Sequence, residues 1–251
     1  MAFSPILIVP LAFVCEFVDS SLGMGYGTAL TPLLLLLGFE PLEVVPAVLL
    51  SELFTGLTAA LFHHRVKNVD LRPSSPEGKV GLMLSGFAVV GTLVSVVLAV
   101  KLPADVLKVC IGVIVLSMGV YLLANSRRTP RFSWRRIAIV GTIASFNKGM
   151  SGGGYGPLVT GGQMVSGISV KSAVGVTSLS EGVTCLVGVL LYCALRPGTD
   201  WGLAPWLMCG ALPSVPFAAY TLKWIPERKA RLAVACAVLL LGGLTLSKVL
   251  L

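Results

Sequence analysis

Stretches of about twenty apolar residues recur along the chain at roughly 44–62, 80–100, 104–124, 172–194, 203–222 and 230–249. Each is long enough to cross a hydrocarbon layer about 30 Å thick. Such stretches fold in lipid as packed α-helices, because a helix satisfies its backbone N–H and C=O groups internally. Composition agrees: 55% of the residues are apolar and 12% charged, where soluble domains carry about 25% charged residues. No stretch is left over for a separate soluble domain. Residues 1–22 have no Lys or Arg ahead of their apolar run, so they read as mature structure rather than a cleaved leader.

The net charge of +8 sits in loops, which points to membrane topology and away from nucleic acid. The loop from Asn125 to Arg136 holds Arg127, Arg128, Arg131, Arg135 and Arg136 without an acid, and is placed in the cytoplasm. Two regions, 3–38 and 137–168, are too long for one crossing. Each is interrupted by glycines: Gly23, Gly25 and Gly27 in one, Gly152, Gly153, Gly154 and Gly156 in the other. Both read as helix, break, shorter helix.

An ungapped offset of 129 lays the two interrupted regions on each other. Gly23 meets Gly152, Gly25 meets Gly154, Tyr26 meets Tyr155, Gly27 meets Gly156, Thr31 meets Thr160, Gly38 meets Gly167, Ser51 meets Ser180, Glu52 meets Glu181 and Thr55 meets Thr184. The matches are mostly glycine or polar, so they report duplication rather than the leucines any two membrane helices share. The expected fold is therefore all-α integral membrane, with a first repeat in 1–125, a cytoplasmic linker in 126–136 and a second repeat in 137–251. Each repeat is a Gly-broken hairpin plus three crossings, which reverses direction and inverts the second copy. Counting outwards from the Arg-rich loop puts 63–79, 168–171 and the Lys223–Arg231 loop inside, with 38–43, 101–103, 195–202 and both termini outside. Inverted repeats with broken helices are a recurring plan of secondary transporters.

Unwound backbone at membrane depth is tolerated only inside protein or against a watery cavity. A glycine-rich turn opening a helix also offers free N–H groups and the positive dipole end, which suit an anion. The expected binding residues are Asn147, Lys148, Ser151, Gly152, Gly153, Gly154, Tyr155 and Gly156, with Asp19, Ser21, Gly23, Gly25, Tyr26 and Gly27 opposite. Lys148 takes the place of Asp19 under the offset, and either attracts the anion or pairs with Asp19. Glu52 and Glu181, each after Ser51 or Ser180, are expected either to couple protons or to tie the glycine-rich backbone of their own repeat. Thr31 and Thr160 belong to the same support.

Gly149-Met150-Ser151-Gly152 fits a Gly-x-Ser-Gly serine-protease pattern, but no histidine follows Ser151 to act as its base. An enzyme is not expected. His63 and His64 read as interfacial residues at the edge of a span. Cys15, Cys110, Cys185, Cys193, Cys209 and Cys236 are scattered without metal-ligand spacing, so neither a metal nor a cofactor is expected.

Gly23-Met24-Gly25-Tyr26-Gly27 with Thr31-Pro32 and Ser51-Glu52, repeated as Gly152-Gly153-Gly154-Tyr155-Gly156 with Ser180-Glu181, resembles the sulfite exporter TauE/SafE family, also called the 4-toluene sulfonate uptake permease family. The second copy is closer to the family pattern, although Gly161 stands where the first has Pro32. The resemblance implies movement of sulfite, sulfoacetate or other organosulfonate anions across the plasma membrane, often outward.

Overall fold

The computed structural model describes residues 5–103, 133–165 and 168–222, with scattered positions in 105–120 and 239–247. A 3₁₀ turn (Pro5–Leu7) leads into α1 (Ile8–Leu22), followed by α2 (Tyr26–Leu36), α3 (Pro41–Arg65) and α4 (Pro76–Lys101). The second set is α5 (Trp134–Ser151), α6 (Tyr155–Val165), α7 (Val170–Leu195) and α8 (Ala204–Thr221). The described residues are all-helical. The expected crossings at 104–124 and 230–249, most of the 126–136 linker, Gly167, and Lys223 to Arg231 lie largely or wholly outside the described residues.

Local chemistry sets the helix ends. The Ser75 hydroxyl accepts from the Gly78 N–H at 2.9 Å and Pro76 opens α4, a proline at the one place where its missing N–H costs nothing. Ser169 caps α7 in the same way, accepting from Ser172 N–H at 3.2 Å. Both breaks follow one design: Gly23 and Gly152 end their helices at φ 67° and 68°, a left-handed conformation that any side chain would strain. Their N–H groups donate to the carbonyls of Asp19 and Lys148 at 2.6 and 2.8 Å. The offset of 129 carries the bounds of α2 onto those of α6.

α3, α4 and α7 are long and apolar enough to span a membrane. α3 and α7 pack on each other at the centre, while α4 presents Leu82, Val89, Val90, Leu93 and Leu98 outwards, as a lipid-facing helix does. The remaining long helices pair across the halves, α1 against α8 and α4 against α5. Small residues permit this closeness. A Cβ on Gly91 of α4 would meet the Thr142 carbonyl of α5 at 2.7 Å and the Phe146 nitrogen at 2.9 Å, whereas one on Gly86 meets nothing within 4 Å. Gly91→Leu is therefore expected to cost about 1–3 kcal/mol by overpacking, seen as a lowered Tm in detergent, while Gly86→Leu leaves Tm unchanged.

Candidate functional site

The two breaks lie in backbone contact. A Cβ on Gly27 would fall on the Gly152 carbonyl, and one on Gly156 would reach the Gly23–Met24 backbone. Polar side chains bind the crossing together: the Thr28 hydroxyl accepts from Gly154 N–H at 2.8 Å, and Thr160 donates to the Gly23 carbonyl at 2.7 Å. Thr31, fully buried, has its hydroxyl unpaired beside Gly152. Ser151, Tyr26 and Tyr155 are also fully buried. The Ser151 hydroxyl donates to the Asn147 carbonyl at 2.9 Å and accepts from Gly153 N–H at 3.1 Å, so it is engaged with its own turn.

Lys148 is 1% exposed and the only buried lysine or arginine among the described residues. Its Nζ donates to Glu181 Oε1 at 2.7 Å and contacts Glu52 Oε2. The structure thus replaces the expected partner Asp19 with one glutamate from each half. The reason is geometric. Asp19 and Lys148 occupy equivalent positions one turn before their breaks, and Asp19 instead accepts from Tyr26 N–H at 3.2 Å, closing its own break.

The halves therefore differ. In the first, Asp19 and Glu52 cap the start of α2, Glu52 Oε1 accepting from Gly27 N–H at 3.1 Å, and Tyr26 shares a 2.8 Å hydrogen bond with Ser51. In the second, Glu181 turns to Lys148, Ser180 bonds back to the Val176 carbonyl at 3.0 Å, and no carboxylate among the described residues caps α6. Asn147, 3% exposed, has both amide atoms unpaired, as does the Ser21 hydroxyl.

Oxygens of Asp19, Glu52 and Glu181 all lie within 4.8 Å of one another. This is the donor set of a divalent-cation site, but the Lys148 ammonium lies against two of the three. Like unit charges 4 Å apart repel by about 4 kcal/mol at an effective dielectric near 20. Three full negative charges against one positive are therefore not held without a further proton or cation. Their separation in sequence hides this grouping, which the approach of α1, α3 and α7 creates.

The sequence reading misses three further residues. Glu16, 1% exposed on α1, accepts from Ser20 at 2.6 Å; its signal is an acid in an apolar helix, one turn before Asp19. His63, near the end of α3, is fully buried. Its Nε2 donates to the Ser20 carbonyl at 2.9 Å and its Nδ1 accepts from Asn68 at 3.0 Å, because α3 runs on to Arg65. Tyr192, the offset equivalent of His63, donates to the carbonyl of Gly149, the equivalent of Ser20, at 3.5 Å. The same tie to the last turn before each break is made by two different side chains.

An all-helical core with lysine and glutamates sealed where apolar helices cross is that of a membrane transporter rather than a passive anchor. The chain belongs to the Sulfite exporter TauE/SafE family, which it matches over residues 8–245. It is similar to the probable membrane transporter protein YtnM of Bacillus subtilis (strain 168), 26% identical over 249 residues covering 94% of this chain and 80% of that one. A second relative from that organism, the probable membrane transporter protein YdhB, is 28% identical over 184 residues, 69% of this chain and 72% of its own. The probable membrane transporter protein ORF9 of Sinorhizobium sp is 33% identical over 110 residues, 44% of this chain and 39% of its own. No solved structure matches at a significant level. The protein is a membrane transporter, and its family and relatives carry transporter rather than enzyme names.

Removing one partner of a buried ion pair costs about 3–5 kcal/mol, because it strands the other charge, whereas removing every charge is often neutral. Lys148→Met alone is thus expected to lower Tm sharply in detergent. Adding Glu52→Gln and Glu181→Gln restores most of the loss.

Proposed function

We propose that the protein is a secondary transporter, and an exporter, of sulfite, sulfoacetate or a related organosulfonate anion, with the anion held at the second helix break. The observation that carries this reading is the asymmetry of the two breaks. The start of α2 already has carboxylates on its N–H groups. The start of α6 has Lys148 beside it in place of Asp19, and Glu181 is drawn off to that lysine. Sulfonate or sulfite oxygens accept hydrogen bonds as carboxylate oxygens do, so such an anion replaces Glu181 at Lys148 beside the unpaired Asn147 amide, with Ser151 and the Gly152–Gly156 turn as the wall around it. Asp19, Ser21, Gly23, Gly25, Tyr26 and Gly27 form the opposing wall.

The anion and the glutamates compete for one ammonium. A proton on Glu181 or Glu52 frees Lys148 for substrate, which makes protons the natural coupling ion. The halves are read as inverted repeats in the plasma membrane, with the Arg-rich loop cytoplasmic and both termini outside. The matched bounds of α2 and α6 and the reciprocal pairing of α1 with α8 and α5 with α4 support that reading. Alternating access then exposes the crossing to one side at a time. With the cytoplasm negative, moving one negative charge outward is favoured by about 2.3 kcal/mol per 100 mV, so export runs downhill electrically wherever the anion leaves without the proton.

The test is sulfite and sulfoacetate flux in proteoliposomes at a set membrane potential. Wild type is expected to show saturable, potential-sensitive flux. Lys148→Ala, and the Lys148→Met/Glu52→Gln/Glu181→Gln variant that removes the stranded charge, are expected to lose about tenfold or more in apparent affinity, the scale of one charge-assisted hydrogen bond. Flux linear in concentration points to a channel; no flux of either anion refutes the substrate assignment.

A further inference from the structure

The transport reading employs Lys148, Glu52 and Glu181 but leaves Glu16 without a task. Glu16 lies inside α1 at 1% exposure. Its Oε1 accepts from Ser20, while its Oε2 has no hydrogen-bond partner at all. The ionisable groups that face it are Cys15 and Asp19 on its own helix, Tyr26 on α2, Glu52 on α3 and Glu181 on α7. α8, packed along α1, carries no Asp, Glu, Lys, Arg or His between Ala204 and Thr221. Among the described residues no cation answers Glu16, because the buried ammonium is taken by Glu52 and Glu181.

A carboxylate in that setting accepts one hydrogen bond, leaves one oxygen bare and faces three more acids. A carboxylic acid in the same place needs no counter-charge and turns its bare oxygen into a donor. We propose that Glu16 is a proton-binding site: it holds a proton in the conformation described and exchanges it through Asp19, thereby tying anion movement to the proton gradient. Asp19 lies three residues on, on the same helix face, and is the one of these four acids that is partly rather than fully buried as a residue. The proton therefore has a mouth at Asp19 and a store at Glu16, next to the glutamates that compete for Lys148. The tie to anion movement rests on the transport reading above; the proton binding does not.

Two readouts separate these parts. Infrared spectroscopy of the purified protein in lipid at neutral pH is expected to show a carboxylic acid C=O band that shifts in D₂O. The component of that band due to Glu16, distinct from any that the Asp19, Glu52 and Glu181 cluster contributes, is lost in Glu16→Gln and returns, displaced, in Glu16→Asp. In proteoliposomes, an imposed pH gradient is expected to change wild-type anion flux several-fold and that of Glu16→Gln not at all. A carboxylic acid spectrum that Glu16→Gln leaves unchanged places the proton elsewhere and overturns the proposal. A lost band with gradient-dependent flux intact overturns the coupling role. If wild type moves neither anion, the transport reading fails and the infrared result alone decides whether Glu16 binds the proton.

Discussion

The Lys148 ammonium, held between Glu52 and Glu181, is the interaction on which the centre of this molecule depends. It joins three helices, one from the first half and two from the second, at a depth where an unpaired charge is not tolerated. Because the two glutamates match under the repeat while Lys148 stands where the first half has Asp19, the arrangement breaks the symmetry that the two glycine turns preserve. A symmetric pair of breaks could close on itself with each half capping its own helix. The single lysine pulls one glutamate away from that duty and leaves one helix start open.

Much of the fold was legible in the residues. Glycines at equivalent places, flanked by apolar runs too long for one crossing, announced the helix breaks, because little else demands such clustering inside lipid. The duplication was legible because glycine, serine, glutamate and threonine were kept where leucine was free to drift. The helix ends were less legible: α3 extends from Pro41 to Arg65, well past the apolar stretch, because polar residues near a membrane surface remain helical when packed. That extension is what buries His63.

The site was legible as a set of residues and not as a set of partners. Lys148, Glu52 and Glu181 were each identifiable as ionisable groups at membrane depth, yet their pairing depends on how α3, α5 and α7 cross, which no sequence spacing encodes. Asp19 looked like the counterpart of Lys148 in sequence, and that equivalence is the reason the two do not pair: each faces its own break. Glu16 escaped notice because its offset equivalent is Ser145, so the repeat comparison gave it no partner. The ties made by His63 and Tyr192 escaped for the opposite reason, being one contact carried by unlike residues.

The pairing of helices across the halves also bears on how such a chain is assembled. Synthesis proceeds from the N-terminus, so Glu16, Asp19 and Glu52 reach the bilayer before Lys148 has been made. Among the described residues the first half thus enters with acids and no buried lysine or arginine, and α1 stands without α8, its principal neighbour, until late in translation. The arrival of α5 supplies the missing positive charge, and that of α8 covers α1, so the newborn first half is an open, proton-laden intermediate that only its own sequel can close.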